Sequence, residues 1–296
     1  MRRTYFIVFV LLIVLLFSCR DRSVDVARDS KPVVTVSILP YKWFVEQIAG
    51  DSVDVFVLVG HGQSPHSYQP SPSQLASLSG ARLWFLAGVD FENALVEKVM
   101  AMYPELKIID ATLGIKPRKV EEYSAEGDEE SDGVDRHTWL GRGAALVILR
   151  NIYDTLVEEF PDKVSLYKKN YGNLVSEINR VFDELSHRLA PLAGSKVFVF
   201  HPSFGYFLDE FSLRQVPVEV GGKEPSASQL ADFIELAKKE KPRAVFVQAQ
   251  FSDRAARLIA DSVGAEVLSL DPLAEDWLDN IKRMGSALAA ACEGKK

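Results

Sequence analysis

The feature that most constrains this chain is the way short strand-like runs alternate with helix-length amphipathic stretches. VVTVSI at 33–38, VDVFVLV at 53–59 and RLWFL at 82–86 are β-branched and aromatic, and helical patterns around 41–50, 73–79 and 91–103 separate them. Strands spaced by helices predict βαβ units and therefore a parallel sheet. From Leu140 to Leu192 the alternation stops. Apolar positions such as Leu146, Ile152, Leu156, Tyr171, Ile178 and Leu185 then recur at helical spacing, and Pro161 predicts a new helix or a kink. After Gly194 the alternation resumes with VFVFH at 197–201, QVPVEV at 215–220, RAVFVQ at 243–248 and EVLSL at 266–270; helices are expected over 226–240, 252–263 and 275–290.

The predicted fold class is therefore α/β with two lobes, each a mostly parallel sheet flanked by helices: 32–139, then a linking helical segment 140–193, then 194–296. A chain of 296 residues also exceeds what one core usually organises. In this layout a ligand sits in the crevice at the strand ends.

The first residues are of another kind. Arg2 and Arg3 precede an unbroken apolar run from Tyr5 to Phe17, shorter than the roughly 20 residues that span a bilayer as a helix, so 1–18 reads as a signal peptide. Leu16-Phe17-Ser18-Cys19 resembles a lipobox, with Cys19 as the lipid-bearing residue and the polar stretch 19–31 as a tether. The expected location is exported and lipid-anchored in the cell envelope. Cys292 is the only other cysteine, so no internal disulfide framework is available to the mature fold. Removing Arg2 and Arg3 takes the formal charge from −7 to −9, which disfavours nucleic acid as a partner.

Between Lys119 and Asp135 eight acidic residues interrupt the pattern, and 119–136 is expected to be a flexible, solvated loop. The five histidines are placed unevenly. His187 lies within the long helical region and reads as surface. His66 lies in the Gly- and Pro-rich loop GHGQSPHSYQP, His137 in DRHTWL ahead of the helical segment, and His201 at the end of VFVFH. Asp271 follows EVLSL at another carboxyl strand end. Taken singly, His66 and His137 fit a hydrogen-bonding loop residue or a helix cap as well as a ligand, and Asp271 fits a cap.

Six segments in order, GQSPHSYQPSPSQL at 62–75, DRHTWL at 135–140, HPSFGYF at 201–207, GGKEPSASQL at 221–230, VFVQAQFS at 245–252 and SLDPLAEDW at 269–277, resemble the metal-binding receptor proteins of ABC importers. The resemblance implies a metal site in the interlobe cleft, with His66 and His137 from the first lobe and His201 and Asp271 from the second, and a long rigid helix joining the lobes. It implies Zn²⁺ as the bound ion, since manganese members tend to carry a carboxylate where His201 stands; Mn²⁺ remains an alternative. Gln248, Gln250 and Glu224 are candidates to support the site, and His61 is a candidate accessory ligand. Two departures are Arg136, where the family commonly has proline, and an acidic loop without the histidines that zinc receptors often carry there.

The resemblance also implies a monomer that delivers metal to a membrane permease and carries out no enzymatic reaction. Three histidines would also suit a zinc hydrolase, but no HExxH-type motif supplies a base. An envelope adhesin is a third reading, for which no sequence feature argues. The ion is expected to bridge the lobes while the long helix limits hinging, and binding should weaken as pH falls through about 6 to 5.

Overall fold

The computed structural model of the protein describes residues 31–120, 133–219, 226–248, 250 and 254–293; the expected signal segment, Cys19, most of the acidic loop and Glu224 lie outside them. The first lobe runs β1 (Val33–Ile38), α1 (Leu39–Ala49), β2 (Asp54–Val59), α2 (Pro72–Ser77), β3 (Ala81–Leu86), α3 (Asp90–Met102) and β4 (Lys107–Asp110). The linking stretch holds α4 (Arg142–Glu159) and α5 (Val164–Leu189). The second lobe runs β5 (Lys196–Val199), α6 (Gly205–Asp209), β6 (Arg214–Pro217), α7 (Ala227–Glu240), β7 (Ala244–Val247), α8 (Arg254–Val263), β8 (Glu266–Ser269) and α9 (Trp277–Glu293).

The strand orders are β2-β1-β3-β4 and β6-β5-β7-β8, and every pairing is parallel. Both sheets therefore reverse winding direction beside their first strand. That reversal opens a crevice at the carboxyl ends of the strands, where loops can reach a ligand. β1 is buried on both faces, as a central parallel strand must be. Its Ser37 hydroxyl accordingly accepts from Trp84 Nε1 at 3.1 Å and donates to the Phe85 carbonyl at 3.5 Å.

The linking stretch is two helices rather than one. Phe160 to Lys163 break it, because Pro161 lacks the N–H that a continuous helix would need. α5 is the long element, 26 residues or about 39 Å at 1.5 Å per residue. It buries Tyr167, Leu174, Ile178, Val181, Phe182, Leu185 and Leu189 along one face.

One buried cluster runs from the first sheet through α4 and α5 to Phe204, Phe207, Trp277, Ile281 and Met284 of the second lobe. A smaller cluster, with Phe198, Phe233 and Ile259, lies apart within the second lobe. Trp277 is fully buried between lobes: its ring centroid is 4.9 Å from that of Phe44, and its Nε1 donates to the Trp139 carbonyl at 2.8 Å. Trp139 Nε1 in turn donates to the Pro272 carbonyl at 2.7 Å. Among the described residues no helix is long and apolar enough to cross a membrane.

Candidate metal centre

His66 hangs from the loop after β2, a shape set by Pro65 and by the Ser71–Gln74 capping box that starts α2. His137 stands where the chain returns from β4, just before a 3₁₀ turn at Thr138–Leu140. β5 ends at Val199, two residues short of His201. His66 and His201 thus follow carboxyl strand ends, and His137 joins them from the stretch that leads into the 3₁₀ turn and α4.

His66 Nε2 lies 3.1 Å from His201 Nε2, and His201 Nε2 lies 3.4 Å from His137 Nε2. No two ligand nitrogens of the three are more than 4.8 Å apart. Nitrogens bound tetrahedrally to zinc at about 2.0–2.1 Å would stand ~3.3 Å from each other, so two of the edges already have the separation such an ion requires. They border a cavity of about 20 Å³ that Asp90, Arg136, Trp139, Gln250 and Leu273 also line. That is room for little more than one water-sized particle.

The other ring nitrogen of each histidine meets a carboxylate. His66 Nδ1 is 2.9 Å from Asp90 Oδ2, His137 Nδ1 is 2.9 Å from Asp135 Oδ1, and His201 Nδ1 pairs with Glu219 Oε2. An ionised carboxylate only accepts, so each Nδ1 must carry the proton and each Nε2 must present its lone pair to the shared point. Three lone pairs facing one another are mutually unfavourable until a cation lies between them.

Burial grades the three ligands. The side chains of His66, His137 and His201 are 39%, 12% and 9% exposed, so solvent reaches the site from the His66 side. Burial, with the neighbouring His137 and His66 adding to it, drives the His201 pKa down from 6.5 to about 4 although Glu219 pulls the other way. Asp90 is held below the usual carboxylate range, first by its bond to His66. Asp135 is also lowered: burial raises it, but the hydrogen bonds to His137 and the charge of Arg118 outweigh that. Gln248 fixes the backbone of His201, accepting from its N–H at 3.2 Å and donating to its carbonyl at 2.6 Å.

Asp271 stands outside the group of nitrogens. Its Oδ1 accepts from Gln250 Nε2 and from the Leu273 N–H, each at 2.9 Å. His61 also lies outside it, 3.0 Å from Glu275. Asp90, Asp135 and Glu219 are the partners the sequence reading passed over. Asp135 could have been found, since it lies two residues from His137. Nothing in the spacing links Asp90 to His66, 24 positions away, or Glu219 to His201, 18 away.

Residues 34–291 match the family described as ZnuA, zinc-uptake complex component A, periplasmic. A solved structure described as ZnuA superposes with a TM-score of 0.81 at 39% identity, covering 88% of this chain and 98% of that one. A ZnuA deletion mutant with zinc bound gives 0.82 at 38% identity, covering 90% and 100%. The high-affinity zinc uptake system protein ZnuA of Bacillus subtilis is 28% identical over 273 residues, 88% of this chain and 85% of that protein. The zinc-binding lipoprotein AdcA of Streptococcus pneumoniae is 26% identical over 266 residues, and the match takes in 83% of this chain but 50% of AdcA. A match across most of the chain places this protein in the ZnuA family of zinc-uptake components.

Proposed function

We propose that this protein is the zinc receptor of an ABC importer, that His66, His137 and His201 capture Zn²⁺ through their Nε2 atoms, and that Asp271 completes the shell as a fourth ligand after turning from Gln250 and Leu273. The observation that carries the reading is the convergence of three Nε2 lone pairs at separations of 3.1 and 3.4 Å, each tautomer held by a carboxylate. An all-imidazole first set suits zinc better than manganese, which favours oxygen donors. Hydrolysis would need a carboxylate free to act as a base, and Asp90, Asp135 and Glu219 are already committed to Nδ1 atoms. The sequence supports export, attachment through a lipid on Cys19 and delivery to a membrane permease as a monomer.

Metal content measured by mass spectrometry on protein lacking residues 1–19 tests the site. The expected result is about one zinc per chain, lost when all three histidines become alanine and weakened but retained in Asp271→Ala. Zinc retained by the triple variant would overturn the assignment.

A further inference from the structure

The three carboxylates behind the histidines are not equally secure. The side chains of Asp135 and Glu219 are 0% and 5% exposed, so each meets its imidazole away from competing water. Asp90 is 45% exposed and His66 39%. A hydrogen bond between two solvated groups contributes little on its own, because water substitutes for either partner. His66 is therefore the ligand whose orientation needs help from beyond its own carboxylate.

Arg136 supplies that help. Arg136 Nε lies 2.8 Å from Asp90 Oδ1, the oxygen that His66 does not use. Its Nη1 donates to the Gly88 carbonyl at 3.3 Å. The segment it grips is itself rigid. Buried Glu92 accepts from the N–H groups of Ala87, Gly88 and Val89 at 2.8, 2.9 and 3.1 Å. Gly88 adopts φ +73°, which other residues rarely take, so this backbone path depends on glycine. One guanidinium thus spans a fixed carbonyl and a carboxylate, and the peptide that carries it also carries His137.

Resting on the receptor reading above, we propose that Arg136 is a positioning residue for zinc capture. It clamps Asp90 against the 87–89 backbone, keeps Asp90 Oδ2 on His66 Nδ1, and so presents His66 Nε2 to the ion. Because Arg136 adjoins His137, the same turn sets two of the three ligands. A competing effect has the opposite sign: a cation lining the cavity repels an incoming dication, and removing it would favour binding. Orientation prevails here because the charge of Arg136 is already paired with Asp90.

The test uses protein lacking residues 1–19 with ¹⁵N-labelled histidine, as wild type, Arg136→Gln, Arg136→Lys and Asp90→Asn. Imidazole nitrogen shifts of the metal-free proteins report the His66 tautomer, and competition against a chelator reports zinc affinity. Expected is loss of the Nδ1–H preference of His66 in both Arg136→Gln and Asp90→Asn, with His201 unchanged, and a fall in affinity of about tenfold. Lysine cannot reach Asp90 and the Gly88 carbonyl together, so Arg136→Lys should recover only part of that loss. An unchanged His66 tautomer, a rise in affinity on removing the cation, or full rescue by lysine would each overturn the proposal. Wild-type protein that binds no zinc would sink the receptor reading instead, and the tautomer measurement would still decide the role of Arg136. Should Arg136→Gln fail to fold, Asp90→Asn and Arg136→Lys carry the same comparison.

Discussion

The depressed pKa of His201 makes the metal-free protein acid-labile by an amount that can be worked out. In the unfolded chain His201 takes up a proton near 6.5, and in the folded protein only near 4, chiefly because the imidazole is buried. Between those values the unfolded state binds more protons, so stability rises with pH. The contribution is fully present above about 6.5 and is lost as pH falls towards 4. The gap is worth about 3 kcal/mol at 1.36 kcal/mol per decade. Urea unfolding of chelator-treated wild type and His201→Gln, from about pH 7.5 to about pH 4, isolates it, since carboxylates elsewhere titrate equally in both. Wild type should lose about 3 kcal/mol more than the variant over that range. Stability curves that run parallel to within about 1 kcal/mol would refute the reasoning. The same shift bears on zinc capture. His201 keeps its lone pair available until about pH 4, so the weakening of binding expected through about pH 6 to 5 cannot originate there.

Glu219→Gln keeps an acceptor for His201 Nδ1 but removes the buried charge behind it, so zinc affinity should fall about 10–100-fold while the fold survives; competition titration and thermal melting check the two halves. Trp277→Ala should cost about 3–5 kcal/mol, read from urea unfolding, because the ring fills the junction between lobes and its N–H satisfies the Trp139 carbonyl.

Much of the architecture was legible because strands and crossover helices differ so plainly in period. Seven of the eight strands among the described residues follow the apolar runs. The missed one, β4, is KIID, two isoleucines between charged residues at a sheet edge, too short to show a period. α6, at five residues, is nearly as short. For the centre, the likeness to metal receptors singled out the three histidines that converge, whereas composition and spacing alone left His66 and His137 ambiguous. The sequence could not show which carboxylates lie behind them. Asp90 reaches His66 from a different strand-helix junction, and Glu219 reaches His201 from the end of the neighbouring strand, so only the parallel pairing of β5 with β6 brings the latter two together. Nor could it show how Asp271 is held, because an acceptor of the Leu273 N–H and a metal ligand look alike in the sequence.

The shared core also decides how the protein can respond to metal. Separating the lobes would expose Trp277, Phe44 and Trp139, and one such ring buries roughly 150–250 Å², or about 4–6 kcal/mol at 25 cal/mol per Å². A wide opening that exposed even one of them would be populated on the order of one time in a thousand or less. Some of the contacts that tie the loops across the cleft are far weaker. Glu275 meets Lys42 of the first lobe in a partly exposed ion pair and His61 in a largely exposed hydrogen bond, each worth about 1 kcal/mol or less. Those can break while the core stays closed, and Glu275 belongs to the same short segment as Asp271. Metal should therefore slow amide exchange in the loops at 60–70 and 271–276 and leave α5 and α9 unchanged. Protection spread along α5, or a metal-dependent change in radius of gyration, would mean that the lobes do hinge and that the core between them is less continuous than its packing implies.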